Sequence, residues 1–182
     1  GEARQTLAFL HPYCNDGGGG ERVLWVALRS LVGRRVLDPA IWRVLVYTGD
    51  VASDVEIRRH SVARFGVQVP EGVEFVRLSL RWAIEAQRYP VATLVCQALG
   101  SVVLATEAVW RAPLDVVVDT TGLGFCFPLL RAAGVRQLAA YVHYPIISSD
   151  MTHAVVTRRV AHNNANSIAH SSGRTALKMV YY

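Results

Sequence analysis

The chain has 182 residues, 52% hydrophobic and 18% charged, which supplies a core for one α/β domain and excludes a disordered tail. Its formal net charge of +5, carried by 18 arginines and one lysine, fits a phosphorylated substrate or an anionic membrane surface, or simply a bias toward arginine codons; no RNA-binding, zinc-finger or helix-turn-helix pattern supports nucleic acid. The six histidines lack metal-ligand spacing and the three cysteines lack a C-x-x-C pair, so no metal is predicted and Cys14, Cys96 and Cys126 read as reduced thiols of a cytosolic setting.

The polar start, Gly-Glu-Ala-Arg-Gln, has neither an initiating methionine nor a signal peptide, and predicts an upstream segment. A first strand is predicted over Thr6 to Pro12. After it comes Asn15-Asp16-Gly17-Gly18-Gly19-Gly20-Glu21-Arg22, leading into a helix over Glu21 to Val32. Four residues without a Cβ let a ligand approach the main chain, and the helix start adds unpaired N–H groups and partial positive charge, so Gly17, Gly18, Gly19 and Gly20 are predicted to cradle a diphosphate. A ligand-free turn is the alternative, at a cost in backbone entropy. The loop is not a P-loop, because the only lysine is Lys178. Nor is it a dinucleotide fingerprint, because Arg22 stands where the third glycine belongs.

A second strand is predicted over Trp42 to Tyr47, followed by Thr48-Gly49-Asp50, where Asp50 either holds a ribose hydroxyl or belongs to a capped turn. Ser53 and Glu56 form a capping-box pattern for a helix over Asp54 to Phe65. A third strand is placed at Val73 to Leu78. The window between Arg88 and Glu107 is uncharged and close to membrane-span length, but Thr93, Gln97 and Ser101 share one helical face, so a helix over Pro90 to Trp110 is predicted to pack on a sheet. A fourth strand, Val116 to Asp119, runs into Thr120-Thr121-Gly122, a ligand loop or a strand-ending turn. A helix over Pro128 to Ala133 and a strand over Gln137 to His143 complete the series. His143 is either a hydrogen-bonded core histidine or a ligand contact at a strand end. Arg58, Arg59, Arg64, Arg77, Arg81 and Arg88 are either an anion-binding surface or a solvated face.

This alternation predicts a Rossmann-like parallel sheet with helices on both faces, its crevice outside the carboxyl ends of the strands.

The strings His11-Pro12-Tyr13-Cys14-Asn15, Gly20-Glu21-Arg22-Val23-Leu24-Trp25, Val46-Tyr47-Thr48-Gly49-Asp50, Gln97-Ala98-Leu99-Gly100-Ser101 and Tyr141-Val142-His143-Tyr144-Pro145 resemble those of one family. It comprises the GDP-mannose-dependent α-1,2-mannosyltransferases that extend the dolichol-linked oligosaccharide on the cytosolic face of the endoplasmic reticulum membrane. The resemblance implies a GT-B fold, of which residues 1–182 would be the acceptor-side Rossmann-like domain, incomplete at its C-terminal end and without the donor-binding domain. It implies a retaining transfer with GDP-mannose as donor substrate, no cofactor or bound metal, and a dolichol-diphosphate-linked oligosaccharide as acceptor. Gly17 to Gly20 and Arg22 would lie beside the donor phosphate and sugar, His143 at the reaction centre, and Asp119 and Tyr144 on the acceptor side. Asp16 and Ile147 depart from the family pattern. Two rival readings are a stand-alone NAD-type Rossmann module using Asp50, and a non-catalytic, membrane-bound acceptor-binding partner.

Overall fold

The computed structural model describes residues 4–90, 92–142, 149–160 and 169–180. It divides into two compact units, Gly1–His143 and Tyr144–Tyr182.

The first unit is built on five parallel strands in the order β3-β2-β1-β4-β5: β1 Gln5–Leu10, β2 Trp42–Thr48, β3 Val73–Arg77, β4 Val116–Asp119 and β5 Gln137–Ala140. Between them run α1 (Gly19–Leu28), which passes into a π-helical turn at Arg29–Gly33, then α2 (Asp54–Phe65), α3 (Thr93–Arg111) and α4 (Phe127–Ala132). Two 3-10 segments, Arg81–Ile84 and Ala86–Arg88, precede α3.

Side chains alternate across the strands and so feed two separate cores. Ala8, Leu10, Leu45, Tyr47 and Val117 pack with Leu104, Ala105 and Ala108 of α3 and Leu130 of α4. On the other face Leu7, Phe9, Val44 and Val46 meet Leu24, Trp25 and Leu28 of α1 and Ile57 of α2. Helices therefore cover both faces, as the alternating pattern predicts. The Ser53–Glu56 capping box forms in full, and Gly66 closes the same helix in the left-handed conformation at φ 66°. Gly100 is required by packing, because a Cβ there would stand 1.8 Å from the carbonyl oxygen of Ala83. The 3-10 segment is thus drawn tight against α3.

In the second unit, α5 (Ser149–Val156) and α6 (Ser172–Val180) pack together, with Ala154 and Val155 buried.

Candidate functional site

The chain leaves β1 toward β2 on one side and reaches β4 on the other, so the order of the sheet reverses at β1, and the loops after β1 and β4 flank the switch point where sheets of this kind carry their ligand crevice. Those loops are bonded to each other. The N–H and hydroxyl of Thr120 donate to the Leu10 carbonyl at 3.3 and 3.1 Å, and His11 Nδ1 lies 2.7 Å from Thr120 Oγ1. With the single hydroxyl proton directed at Leu10, the ring donates from Nδ1 and Nε2 keeps its lone pair. Burial lowers the His11 pKa to about 4, against the opposing pull of the Tyr13 backbone and Asp50, so the imidazole is neutral at physiological pH.

Because the folded pKa lies below the unfolded value near 6.5, stability is fully present above pH 6.5 and is lost as pH falls toward 4. The shift corresponds to about 3 kcal/mol. Denaturant midpoints measured across that window should fall for the native chain and fall much less for His11→Gln. Parallel curves would show that His11 is not the source.

Gly17 takes φ 78°, and its N–H donates to Glu21 Oε2 at 2.7 Å. Glu21 is 2% exposed, and its Oε1 accepts from Trp25 Nε1 at 3.1 Å. Burial raises the Glu21 pKa while these two bonds oppose the rise. The N–H of the first glycine is therefore bonded to a carboxylate of the chain itself. Gly18 is the extended N-cap and supplies no capping side chain, so α1 starts at Gly19, two residues earlier than predicted. The N-cap Gly18 makes no side-chain cap bond, and among the described residues the first-turn N–H groups of Gly19 and Gly20 have no capping acceptor and point out of the helix start. A Cβ on Gly20 would stand 3.8 Å from both His11 Cε1 and the Thr120 carbonyl oxygen, which places Gly20 on the crevice wall. Arg22 is exposed, and its N–H donates to the Gly18 carbonyl at 3.3 Å. Asp16 is exposed and does not cap the helix. Arg64 leans over the loop, its Nε 3.1 Å from where a Gly17 Cβ would be.

Asp119 is fully buried and ends β4 in a side-chain-capped turn. Its Oδ1 accepts from Thr121 N and Oγ1 at 2.9 and 3.0 Å, while Oδ2 has no hydrogen-bond partner among the described residues. Burial raises its pKa, opposed by Thr121 and the Leu123 and Gly122 backbone. The turn is thus the role the geometry supports, with Asp119 positioning the loop behind the crevice wall. Asp50 is also engaged: Arg81 meets its Oδ1 at 2.6 Å, and Thr48 Oγ1 donates to Oδ2 at 3.2 Å. That pairing leaves it poorly placed to hold a ribose. Among the other arginines, Arg58 donates to the carbonyls of Val69, Pro70 and Val73, and Arg77 pairs with Asp54, so only part of the basic set faces solvent. His143 and Tyr144 lie outside the described residues.

His11 and Glu21 are the site residues that pattern reading missed, while Thr120 and Arg81 were named only within a loop and a basic set. His11 and Thr120 each stand first after a strand, at the carboxyl edge where ligands bind, and Glu21 stands one helical turn after Gly17. Those positions were the available signals.

The parallel sheet and its switch-point crevice define a Rossmann-like α/β ligand-binding domain. Over residues 4–182 the chain matches the family described as ALG11 mannosyltransferase N-terminus, and it belongs to that family. Relatives named GDP-Man:Man(3)GlcNAc(2)-PP-Dol alpha-1,2-mannosyltransferase are 43% identical in Xenopus tropicalis and 40% in Homo sapiens, over the whole of this chain and 37% and 36% of theirs. The Candida glabrata relative of that name is 40% identical over 81% of this chain and 29% of its own. The chain thus spans little more than a third of the length of the first two. A solved structure, the crystal structure of TcCGT1 in complex with UDP, aligns at a TM-score of 0.47 and 13% identity over 86% of this chain and 31% of that one, too slight a likeness to build on.

Proposed function

We propose that these residues form the acceptor-side half of a retaining GT-B mannosyltransferase. It transfers mannose in α-1,2 linkage from GDP-mannose to the dolichol-diphosphate-linked oligosaccharide at the cytosolic face of the endoplasmic reticulum membrane. The observation that carries this reading, together with family membership, is the uncapped helix start at Gly19 and Gly20 opening on the crevice beside His11 and Thr120. Two N–H dipoles at a helix N-terminus favour a diphosphate more as charge grows on it, and that difference is what lowers a barrier.

In the reaction we propose, the bond from the mannose anomeric carbon to the diphosphate breaks as the acceptor hydroxyl approaches from the same face. The departing phosphate oxygen takes the hydroxyl proton. This scheme asks for no metal and no carboxylate pair. His11, neutral and buried, contributes shape and a hydrogen bond to the crevice, not charge. Family resemblance alone assigns His143 to the donor sugar and Tyr144 to the acceptor, and the donor-side half of such a fold would grip the nucleotide. The engagement of Asp50 by Arg81 counts against the NAD-type alternative.

The test is transfer of radiolabelled mannose from GDP-mannose to a dolichol-linked acceptor by the full-length protein, with the linkage and anomer of the product determined. The expected product carries a new α-1,2-linked mannose. His143→Ala should lower kcat far more than Tm. Transfer from a different sugar nucleotide, or a β-linked product, would overturn the donor or the retaining mechanism respectively. Absence of transfer with intact acceptor binding would favour the non-catalytic alternative.

A further inference from the structure

Helix α3 turns polar side chains inward along its N-terminal half and presents an apolar face outward along its length. On its inward flank Thr93 Oγ1 donates to the Tyr89 carbonyl at 2.7 Å, Gln97 Nε2 to the Ile84 carbonyl at 2.8 Å, and Ser101 is fully buried. Its outward flank carries Val95, Leu99, Val103 and Trp110, all exposed, with Leu99 at 57% and Trp110 at 84%. At ~100° per residue these four fall within an arc of about 80°, four turns long and without a charge. Thr106 shares the arc, and its hydroxyl is turned back onto the Val102 carbonyl at 2.8 Å, which hides its polarity. Water gains nothing from such a face, whereas a surface helix ordinarily presents its polar side there.

By length and composition the helix, 19 residues from Thr93 to Arg111, is apolar enough to cross a membrane. It cannot do so here, because its opposite flank is held against the sheet by Leu104, Ala105 and Ala108 and against Ala83 by Gly100. What remains is contact from the side.

We propose that the α3 ridge is a membrane-docking surface that lies in the boundary between headgroups and acyl chains of a phospholipid bilayer. This rests on the mannosyltransferase reading, whose acceptor is lipid-linked. Tryptophan and arginine, the pair suited to that boundary, occur on α3 and on the segments packed along it. Trp110 adjoins Arg111 at the C-terminal end, and in the 3-10 segments the exposed Trp82 lies under the Arg88 guanidinium at 5.5 Å. The formal net charge of +5 complements anionic headgroups. A bilayer held along α3 keeps the acceptor's lipid in the membrane while its glycan reaches the crevice.

The test uses the full-length protein with phosphatidylcholine vesicles, with and without phosphatidylinositol. So that vesicle contact made elsewhere in the protein does not count, the first readout is local: quenching of Trp110 fluorescence by brominated acyl chains, assigned by its loss in Trp110→Phe. The native protein should be quenched, the Leu99→Glu/Val103→Glu double variant should not, and Val62→Glu on the exposed face of α2 should behave as native. The second readout is transfer. The double variant should lose at least about tenfold of its activity on vesicle-embedded acceptor and none on a water-soluble, short-chain acceptor. Trp110 shielded from brominated lipid in the native protein would overturn the proposal. So would an equal loss on both acceptors with a lowered Tm, which would mean the protein's own remaining domain covers the ridge, or conversion of a dimer to a monomer by the double variant, which would mean a second copy does. Quenching of Trp110 with no transfer to either acceptor would leave the docking surface standing and sink the enzymatic reading instead.

Discussion

Gly20→Val in the full-length protein should lower mannosyl transfer by about a hundredfold or more while moving Tm by only a few degrees. The β-carbon fits, because its nearest neighbours, His11 Cε1 and the Thr120 carbonyl oxygen, would lie at 3.8 Å, an ordinary contact distance. The two γ-methyls of valine do not: they project beyond that contact into the crevice, where a phosphate would approach the first-turn N–H groups. Valine in a first helical turn costs little, and replacing glycine removes unfolded-state entropy, so the fold should persist. Gly20→Ala should keep more activity than Gly20→Val, which makes the graded series the informative comparison. Native turnover in Gly20→Val would show that no ligand approaches this wall.

Glu21→Ala should produce the largest loss of stability among the site variants. The substitution leaves Gly17 N–H and Trp25 Nε1 without their acceptor, and stranding two buried donors costs about 2–4 kcal/mol. In a chain of this size that is a Tm decrease of roughly 5–15 °C. Transfer should fall as well, since Gly17 would no longer be tied to the helix that presents Gly19 and Gly20. Glu21→Gln keeps one acceptor oxygen and turns an NH2 toward the other donor, so it should fall between the two. Calorimetric melts of the three proteins check the order. If Glu21→Ala melts with the native protein, water or a shifted backbone serves the loop equally well, and Glu21 is not its anchor.

How far pattern carried the reading depended on how local each cause was. Helix α2 was placed at Asp54 and Phe65, its observed ends, because Ser53, Glu56 and Gly66 act within their own turns. Strand β4 was equally legible as an apolar run closed by Asp119. The start of α1 was misplaced, since glycine is a poor helix former and only the tether from Glu21 to Gly17, together with the packing of Leu24 and Trp25, carries the helix back to Gly19. That α3 packs on the sheet was readable from Thr93, Gln97 and Ser101. That the polar side chains of its first turns point inward was not, because the carbonyls that attract them, of Ile84 in one 3-10 segment and of Tyr89 just after the other, carry no sequence signature. The pairing of His11 with Thr120 spans 109 residues, and no window along the chain contains both. The part assigned to His143 rests on resemblance alone.

That same long separation bears on how the protein is made. The glycine loop is synthesised first, and its opposite wall leaves the ribosome about a hundred residues later, after β2, β3 and the whole of α3. Until β4 slides in beside β1, one side of the central strand has no ladder partner, and His11 has no Thr120 to receive its proton. The α3 ridge, already apolar, emerges during that interval. A nascent chain therefore carries both an unpaired strand edge and an oily helix before the crevice exists, the kind of intermediate that chaperones or an early encounter with a membrane would shelter.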